Sequence, residues 1–258
     1  MCTVVIDRRP GDPWPLLVAA NRDELADRPW LPPARHWPSR PEVIAGLDEL
    51  AGGTWMGLND WGVVACVLNR EGTLGPLAGR RSRGELVLDA LDMADARDAA
   101  EALADIDPRA YRPFNLIVAD NRDAFWIRHA DAEGRAAVEV HPLAEGLTLM
   151  TAHDPDDPLD ARARAYLPRF RAAPRPDPQL RDGWAPWTHL LGSRDHAVDD
   201  GPTAAMCFSL AGGFGTSSSS LIALPAMERI GVDPLYLFAP APPDQTDYRP
   251  VLGGGVPA

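Results

Sequence analysis

The sequence predicts an α+β protein with two mainly antiparallel sheets. Short apolar runs of strand character are joined by hairpin-like links, which favour antiparallel pairing. Helical periodicity is gathered into a few stretches between blocks of strands instead of alternating with single strands. No Pro/Gly/Ser-rich linker divides the chain, so residues 1–258 read as a single domain with an irregular tail from about 240.

The elements follow in order. TVVID (3–7) is a short strand. A polar Pro/Gly turn leads to LLVAAN (16–21), completing a hairpin with a long loop. Residues 26–43, rich in Pro and Trp, read as an irregular loop. TWMGLN (54–59) and GVVACVLN (62–69) are strands joined by a tight Asp-Trp-Gly turn. Ser82 and Glu85 have capping-box spacing, and Leu86, Val87, Ala90, Leu91 and Ala94 fall on one helical face. A second helix starts at Asp95 and stops before Pro108. FNLIVAD (114–120), AFWIRH (124–129), AAVEVH (136–141) and LTLMTA (147–152) are strands. ARARAYLPRFRAA (161–173) is a helix that Pro168 kinks or splits. A Trp-rich helix lies within 180–192, and AAMCFSL, SSSSLIAL and PLYLFA close the chain as strands.

The composition narrows the function. The net charge is −12, with no basic stripe to receive nucleic acid. No apolar run is long enough to insert in a membrane. All 25 basic residues are arginine, so a lysine Schiff base and a Walker-type phosphate loop are excluded. Three cysteines, an odd number with no CxxC pair, fit neither a disulfide framework nor a zinc site. The absence of a secretory signal points to a reduced, bacterial-type cytoplasm. No cofactor is called for.

Cys2 is the first chemical signal. Initiator Met is commonly removed when a small residue follows, which would make Cys2 the first residue of the mature chain. Its thiol and α-amine would then share one residue. An α-amine titrates near pH 7.7–8.0 and serves as a base without any histidine. The next signal is Asn21-Arg22-Asp23-Glu24 at the end of the second strand. If that strand pairs with the first, these groups lie near Cys2. A carboxylate there would hold the amine, and an arginine would steady a thiolate or a substrate carboxylate. A solvated turn with a surface ion pair is the plainer alternative.

MC-x-V, then AANRDE, then GGTWMGLNDWGVVACVLN together resemble the NRDE family. This family includes the eukaryotic transport-and-Golgi-organisation type protein and carries an N-terminal-nucleophile hydrolase fold. The resemblance implies a four-layer αββα sandwich and a distant similarity to cysteine acylases of the bile-salt hydrolase and penicillin V acylase type. By the same resemblance Cys2 is the nucleophile, and Asn21 with Asp23 matches an N-x-D whose Asp contacts the nucleophile's amine. Asn69, closing GVVACVLN, resembles the position that supplies part of the oxyanion hole. The acylases' arginine three residues before that Asp is replaced by Ala20, the arginine being at Arg22. Thr151-Ala152 stands where members commonly read Ser-Asn, and Ser217 where many read Arg. Arg162 or Arg164 is a replacement for an acylase arginine.

Two functions follow as expectations. One is a cysteine hydrolase of a linear amide or related acyl bond of a small molecule, with Cys2, Asp23, Arg22, Asn21 and Asn69 in the site. The other is a non-catalytic carrier of a small molecule, haem among them, because eukaryotic relatives are linked to haem handling. Elsewhere, GGTW (52–55) reads as a turn into a strand or as a close approach for a ligand. GGFGTSSSS reads as a turn entering a strand, since the Lys of a P-loop is missing. His153 beside Asp154 is an alternative base or a polar loop. Cys66 and Cys207, inside apolar runs, read as inert buried thiols.

Overall fold

A computed structural model describes residues 2–132 and 135–252. The chain forms two compact units, one from Met1–Arg28 with Glu145–Ala258, the other from Pro29–Ala144. Each is an antiparallel sheet with helices on one face, so the α+β class and the two antiparallel sheets expected from the sequence are found.

The first unit holds β1 (Thr3–Arg8), β2 (Leu16–Leu25), β10 (Gly146–Met150), β11 (Phe214–Leu224), β12 (Leu235–Ala239) and β13 (Arg249–Leu252). Their order in the sheet is β10-β1-β2-β11-β12-β13. Val5, Leu17, Ala19, Leu221 and Ala223 share one face through the two-residue period of a strand. They pack on Tyr166 and Phe170 of α3 (Ala161–Ala172) and on Trp187 and Leu191 of α4 (Ala185–Leu191). Pro168 lies inside α3 without splitting it. Asp160 starts this helix by accepting from the Ala163 N–H at 2.7 Å.

The second unit holds β3 (Trp30–Ala34), β4 (Val43–Asp48), β5 (Met56–Asn59), β6 (Val64–Asn69), β7 (Phe114–Ala119), β8 (Ala124–Ala132) and β9 (Arg135–Pro142), paired in that order. Val43, Ala45, Ala65, Leu116 and Val118 pack against α1 (Gly84–Leu91) and α2 (Ala96–Ala104). Asp95 caps α2 as expected, accepting from the Asp98 N–H at 2.9 Å. The capping box at α1 does not form. Ser82 Oγ accepts from Gly84 N, while Glu85 pairs with Arg81 at 2.6 Å. Helix α1 ends at Leu91, so Ala94 lies beyond it and is exposed.

Other expectations are corrected. The region 26–43 contains a strand, β3, which carries Pro32 and Pro33. It is the sheet's edge strand, where a missing N–H breaks no interior ladder. Strand β13 with Pro250 is also an edge, and it lies inside the expected irregular tail. Its continuation, 253–258, lies outside the described residues. AAMCFSL is not a strand. Its single ladder contact is the bridge Ser209 to Gly215, and Ala204–Phe208 are buried instead as a core-packed connection.

The GGTW signal has a packing explanation. Gly52 has φ +70°, and a Cβ on Gly53 would sit 2.6 Å from the Gly84 carbonyl carbon. A backbone crossing thus requires the glycine, and no ligand has to be invoked.

Candidate active site

The site is built on three neighbouring strands of the first unit. β1 and β2 pair with Thr3 opposite Asn21, so the NRDE residues are strand residues and not a turn. This pairing brings the Cys2 thiol to 3.7 Å from the Asp23 carbonyl oxygen, to which it donates. The alternation that turns Val5 and Ala19 toward the helices turns Thr3, Asn21 and Asp23 the same way. Cys2 and Arg22 fall on the opposite parity.

β11 adds the third wall, and its register contains a device. Thr216 pairs with Asp23 and Ser218 with Arg22, so Ser217 is an extra residue, a β-bulge. The bulge turns Thr216 onto the Asp23 side. Its hydroxyl donates to Asp23 Oδ1 at 2.8 Å and accepts from the Phe208 N–H at 3.2 Å.

The other Asp23 oxygen is claimed from α3. Arg162 Nη1 donates to Asp23 Oδ2 at 3.0 Å and to Thr3 Oγ1 at 2.6 Å, and Nη2 donates to the Thr203 carbonyl at 2.7 Å. Its guanidinium lies 5.3 Å from the centre of the Phe208 ring. Both partners of the pair are buried, with side-chain exposures of 3% and 0%. Arg164, one turn-face away, is half exposed and pairs with Asp200 at 2.7 Å. Of the two arginines, Arg162 is therefore the one that contacts Asp23.

Arg22 is buried too. Its Nη1 donates to Ser217 Oγ at 3.2 Å, and Ser217 Oγ donates back to the Arg22 carbonyl at 3.1 Å. Glu24 approaches the guanidinium at 3.8 Å. At Ser217, where the family resemblance leads one to expect an arginine, an arginine from β2 meets the serine instead.

Asn21 faces the helix layer. Its Nδ2 donates to the carbonyls of Leu191 and Met206, each at 2.9 Å. It therefore ties the end of α4 and the buried 204–208 connection to the sheet. Asn59 does the same in the other unit, donating to Leu91 and Met93 at the end of α1. Asn21→Ala takes the amide donor from both buried carbonyls, leaving Met206 only the long contact from Thr216 Oγ1 at 3.4 Å, and is expected to cost about 2 kcal/mol of stability. A urea titration checks this. A change under about 0.5 kcal/mol would remove the structural role.

Asn69 closes β6 in the second unit, opposite Phe114, half-buried. Ala152 is buried and carries no side-chain amide; the neighbouring Thr151 hydroxyl donates to Asp160 at 2.6 Å. His153 lies 3.7 Å from Asp157 and 3.8 Å from Asp160, a polar cluster at the head of α3. Among the described residues, no group of three or more His, Cys, Asp and Glu side chains is arranged to hold a metal ion. No helix among them is long and apolar enough to cross a membrane.

Burial, and next the Asp23 carboxylate, push the Cys2 thiol above its ordinary value; Arg22 opposes them. Cys207 is fully buried. Burial, with the hydrogen bond to Asp244 at 3.2 Å, pushes its thiol from 9.0 up to about 12. The folded state thus keeps a proton that the unfolded chain releases. Stability from this group is complete below about pH 9 and falls as pH rises toward 12. Cys207→Ala should flatten that alkaline slope in denaturation curves. An unchanged slope would assign it to other groups.

A cysteine directly before the first strand, a buried carboxylate on the adjoining strand and two antiparallel sheets with helical layers define a fold of the N-terminal-nucleophile hydrolase class. Structural comparison agrees. The N-acylethanolamine-hydrolyzing acid amidase ortholog of Caenorhabditis elegans matches with a TM-score of 0.55 at 14% identity, covering 86% of this chain and 92% of its own. The C2A mutant of the conjugated bile acid hydrolase from Clostridium perfringens matches with a TM-score of 0.50 at 11% identity, covering 97% and 96%. These matches concern the fold. The sequence comparison is more specific: the profile of the Transport and Golgi organisation 2 family matches residues 1–161, and the chain belongs to that family. No curated protein sequence matches the chain.

Proposed function

We propose that this protein is a cysteine N-terminal-nucleophile hydrolase of a linear amide or related acyl bond in a small molecule. The observation that carries the reading is Cys2 held beside Asp23, whose carboxylate is buried and gripped by Arg162 and Thr216. With Met1 removed, the α-amine of Cys2 takes the thiol proton as sulfur attacks the acyl carbon. The carbon–nitrogen bond then breaks, and the departing amine leaves with that proton. Water attacks the thioester, giving a carboxylic acid and restoring the thiol. Asp23 orients the amine, and Arg22 offsets negative charge on the Cys2 side of the sheet. Asn69 enters through the family resemblance as an oxyanion donor; loss of one such donor costs roughly 10²–10³ in rate. The intact mass of the expressed protein tests the first requirement. A mass lacking one methionine is the expected result, and a retained methionine removes the proposed base and defeats the mechanism.

Ala152 favours a second reading. It offers no side-chain donor where relatives commonly carry Asn, which fits a carrier of a hydrophobic small molecule on the same fold. Haem is the ligand to test first. A Soret shift on titration with the purified protein supports this reading, and its absence removes haem.

A further inference from the structure

We propose that Ser218 is a substrate-recognition residue, binding with Arg22 a carboxylate carried by the amide that Cys2 attacks. The inference deepens the hydrolase reading and rests on it for the attack at Cys2. What carries it is a buried hydroxyl without a partner. Ser218 is 1% exposed, and its Oγ has no hydrogen-bond partner among the described residues. A hydroxyl shut away from water and left unpaired costs free energy, so at a candidate site it calls for a partner that arrives with the ligand.

The strand register places this hydroxyl. β1 and β2 pair with Thr3 opposite Asn21, and one residue on, the same register sets Cys2 beside Arg22. β2 and β11 pair with Arg22 opposite Ser218. Residues directly opposite each other share a face, so Cys2, Arg22 and Ser218 form one row across the sheet. Adjacent strands lie about 4.8 Å apart, which puts Ser218 roughly 10 Å from Cys2 along the row. The bulge sets two serines, Ser217 and Ser218, against Arg22 where an unbroken ladder would set one. Ser217 is used: it accepts from Arg22 Nη1 and donates to the Arg22 carbonyl. On either side, Thr216 donates to Asp23, and Ser219 donates to the Ala20 carbonyl while accepting from the Tyr248 hydroxyl. Of these four hydroxyls, Ser218 is the one left for a ligand.

The charges beside the row choose the ligand. Glu24 lies 3.8 Å from Arg22 and 3.6 Å from Arg28, so two guanidinium groups face one carboxylate and the local charge is positive. Asp23 is turned to the other face, where Arg162 meets it. A guanidinium only donates and a hydroxyl can donate, so both suit an anionic acceptor. A carboxylate within about 10 Å of the attacked carbon meets the pair. It can sit on the acyl half or on the amine half of the amide.

The test is the rate of Cys2 alkylation by N-iodoacetyl-β-alanine against its neutral counterpart N-iodoacetyl-β-alaninamide, mapped by peptide mass spectrometry. The thiolate displaces iodide from either reagent, so their ratio reads the carboxylate alone and needs no turnover. The wild-type protein should favour the acid. In Ser218→Ala the acid-to-amide ratio should fall about tenfold, the loss of one hydrogen bond to a charged group. Ser218→Thr, which keeps a hydroxyl, should retain it. The urea midpoint of Ser218→Ala should be no lower than wild type, because the hydroxyl removed has no partner in the folded protein. No preference for the acid, an unchanged ratio in Ser218→Ala, a ratio lost in Ser218→Thr, or a Ser218→Ala that is destabilised would each overturn the proposal. Failure of the hydrolase reading shows separately, as Cys2 that alkylates with this preference but accepts no acyl group; Ser218 and Arg22 would then stand as a carboxylate-binding pair. Where turnover is found, glutaryl against valeryl p-nitroanilide tests an acid on the acyl half, and N-hexanoyl-β-alanine against N-hexanoyl-propylamine tests one on the amine half. Preference for the acid in one pair supports the proposal, and preference in neither overturns it.

Discussion

Cys2→Ala is expected to abolish acyl transfer, with turnover of a chromogenic linear amide falling on the order of 10³-fold or more. The size follows from the division of labour in the site. Sulfur is the atom that forms the bond, and no neighbouring group replaces it: the Thr216 hydroxyl is committed to Asp23, and the Ser217 hydroxyl to Arg22. Cys2→Ser separates nucleophilicity from shape, because it keeps a hydroxyl and the α-amine while losing the more easily ionised thiol. The raised thiol makes a second aspect visible. Reactivity at Cys2 should grow with pH through and beyond the ordinary cysteine range, since the folded environment disfavours the thiolate. Cys207, pushed up to about 12, should stay unlabelled at pH 8 in the folded protein. Full turnover in Cys2→Ala would remove the nucleophile from the account.

Arg162→Leu is expected to destabilise the fold by about 3–5 kcal/mol, because it strands a buried carboxylate. Arg164→Ala, two residues on, should lie within about 0.5 kcal/mol of wild type, because its partner Asp200 sits at the surface. Replacing both members of the buried pair, as Arg162→Leu with Asp23→Leu, should recover much of the loss, since no charge is then left unpaired. Midpoints of urea denaturation at equal m-values decide this. Similar losses for Arg162→Leu and Arg164→Ala would mean that the buried pair carries no special stability.

These two arginines mark where the sequence stops being legible. Arg162 and Arg164 occupy the same ARARA repeat, with identical chemistry and near-identical neighbours. What separates them is the face of α3 that meets the sheet, and that depends on contacts 139 residues apart in the chain. The hairpin of β1 and β2 was legible because apolar runs on both sides of a Pro/Gly turn have the period and length of strands. The strand character of NRDE was not, since four polar residues in a row read as a strand end. Asn21, Arg22 and Asp23 are buried because each has a partner from another element, and such partners leave no local trace; Glu24, half-buried, pairs locally with Arg22 and Arg28. The bulge at Ser217 is hidden for a similar reason: in SSSS every residue is alike, and only the register with β2 shows which one is extra.

Short apolar runs misled in the other direction. AAMCFSL has the composition of a strand, yet its Met206 carbonyl goes to Asn21 and its Phe208 N–H to Thr216. Side chains thus satisfy the backbone that a ladder would otherwise satisfy, and periodicity alone cannot see that. The prolines of β3 and β13 argued against strands until their edge positions were known. The resemblance to the NRDE family carried furthest. It assigned the family and the fold class, and it singled out Cys2 and Asp23. It pointed to Arg162 or Arg164 without choosing between them, and only the fold shows which one reaches Asp23.

The central claim is that Cys2, as the first residue of the mature chain, forms a thioester with its substrate. The measurement that tests it most directly is peptide-mapped mass spectrometry after brief exposure of the folded protein to a p-nitrophenyl acyl ester, quenched in acid. The account predicts an amino-terminal peptide that begins at Cys2 and carries one acyl group on sulfur, absent from Cys2→Ala. An amino-terminal peptide that retains Met1, or one that begins at Cys2 and bears no acyl group, would contradict it.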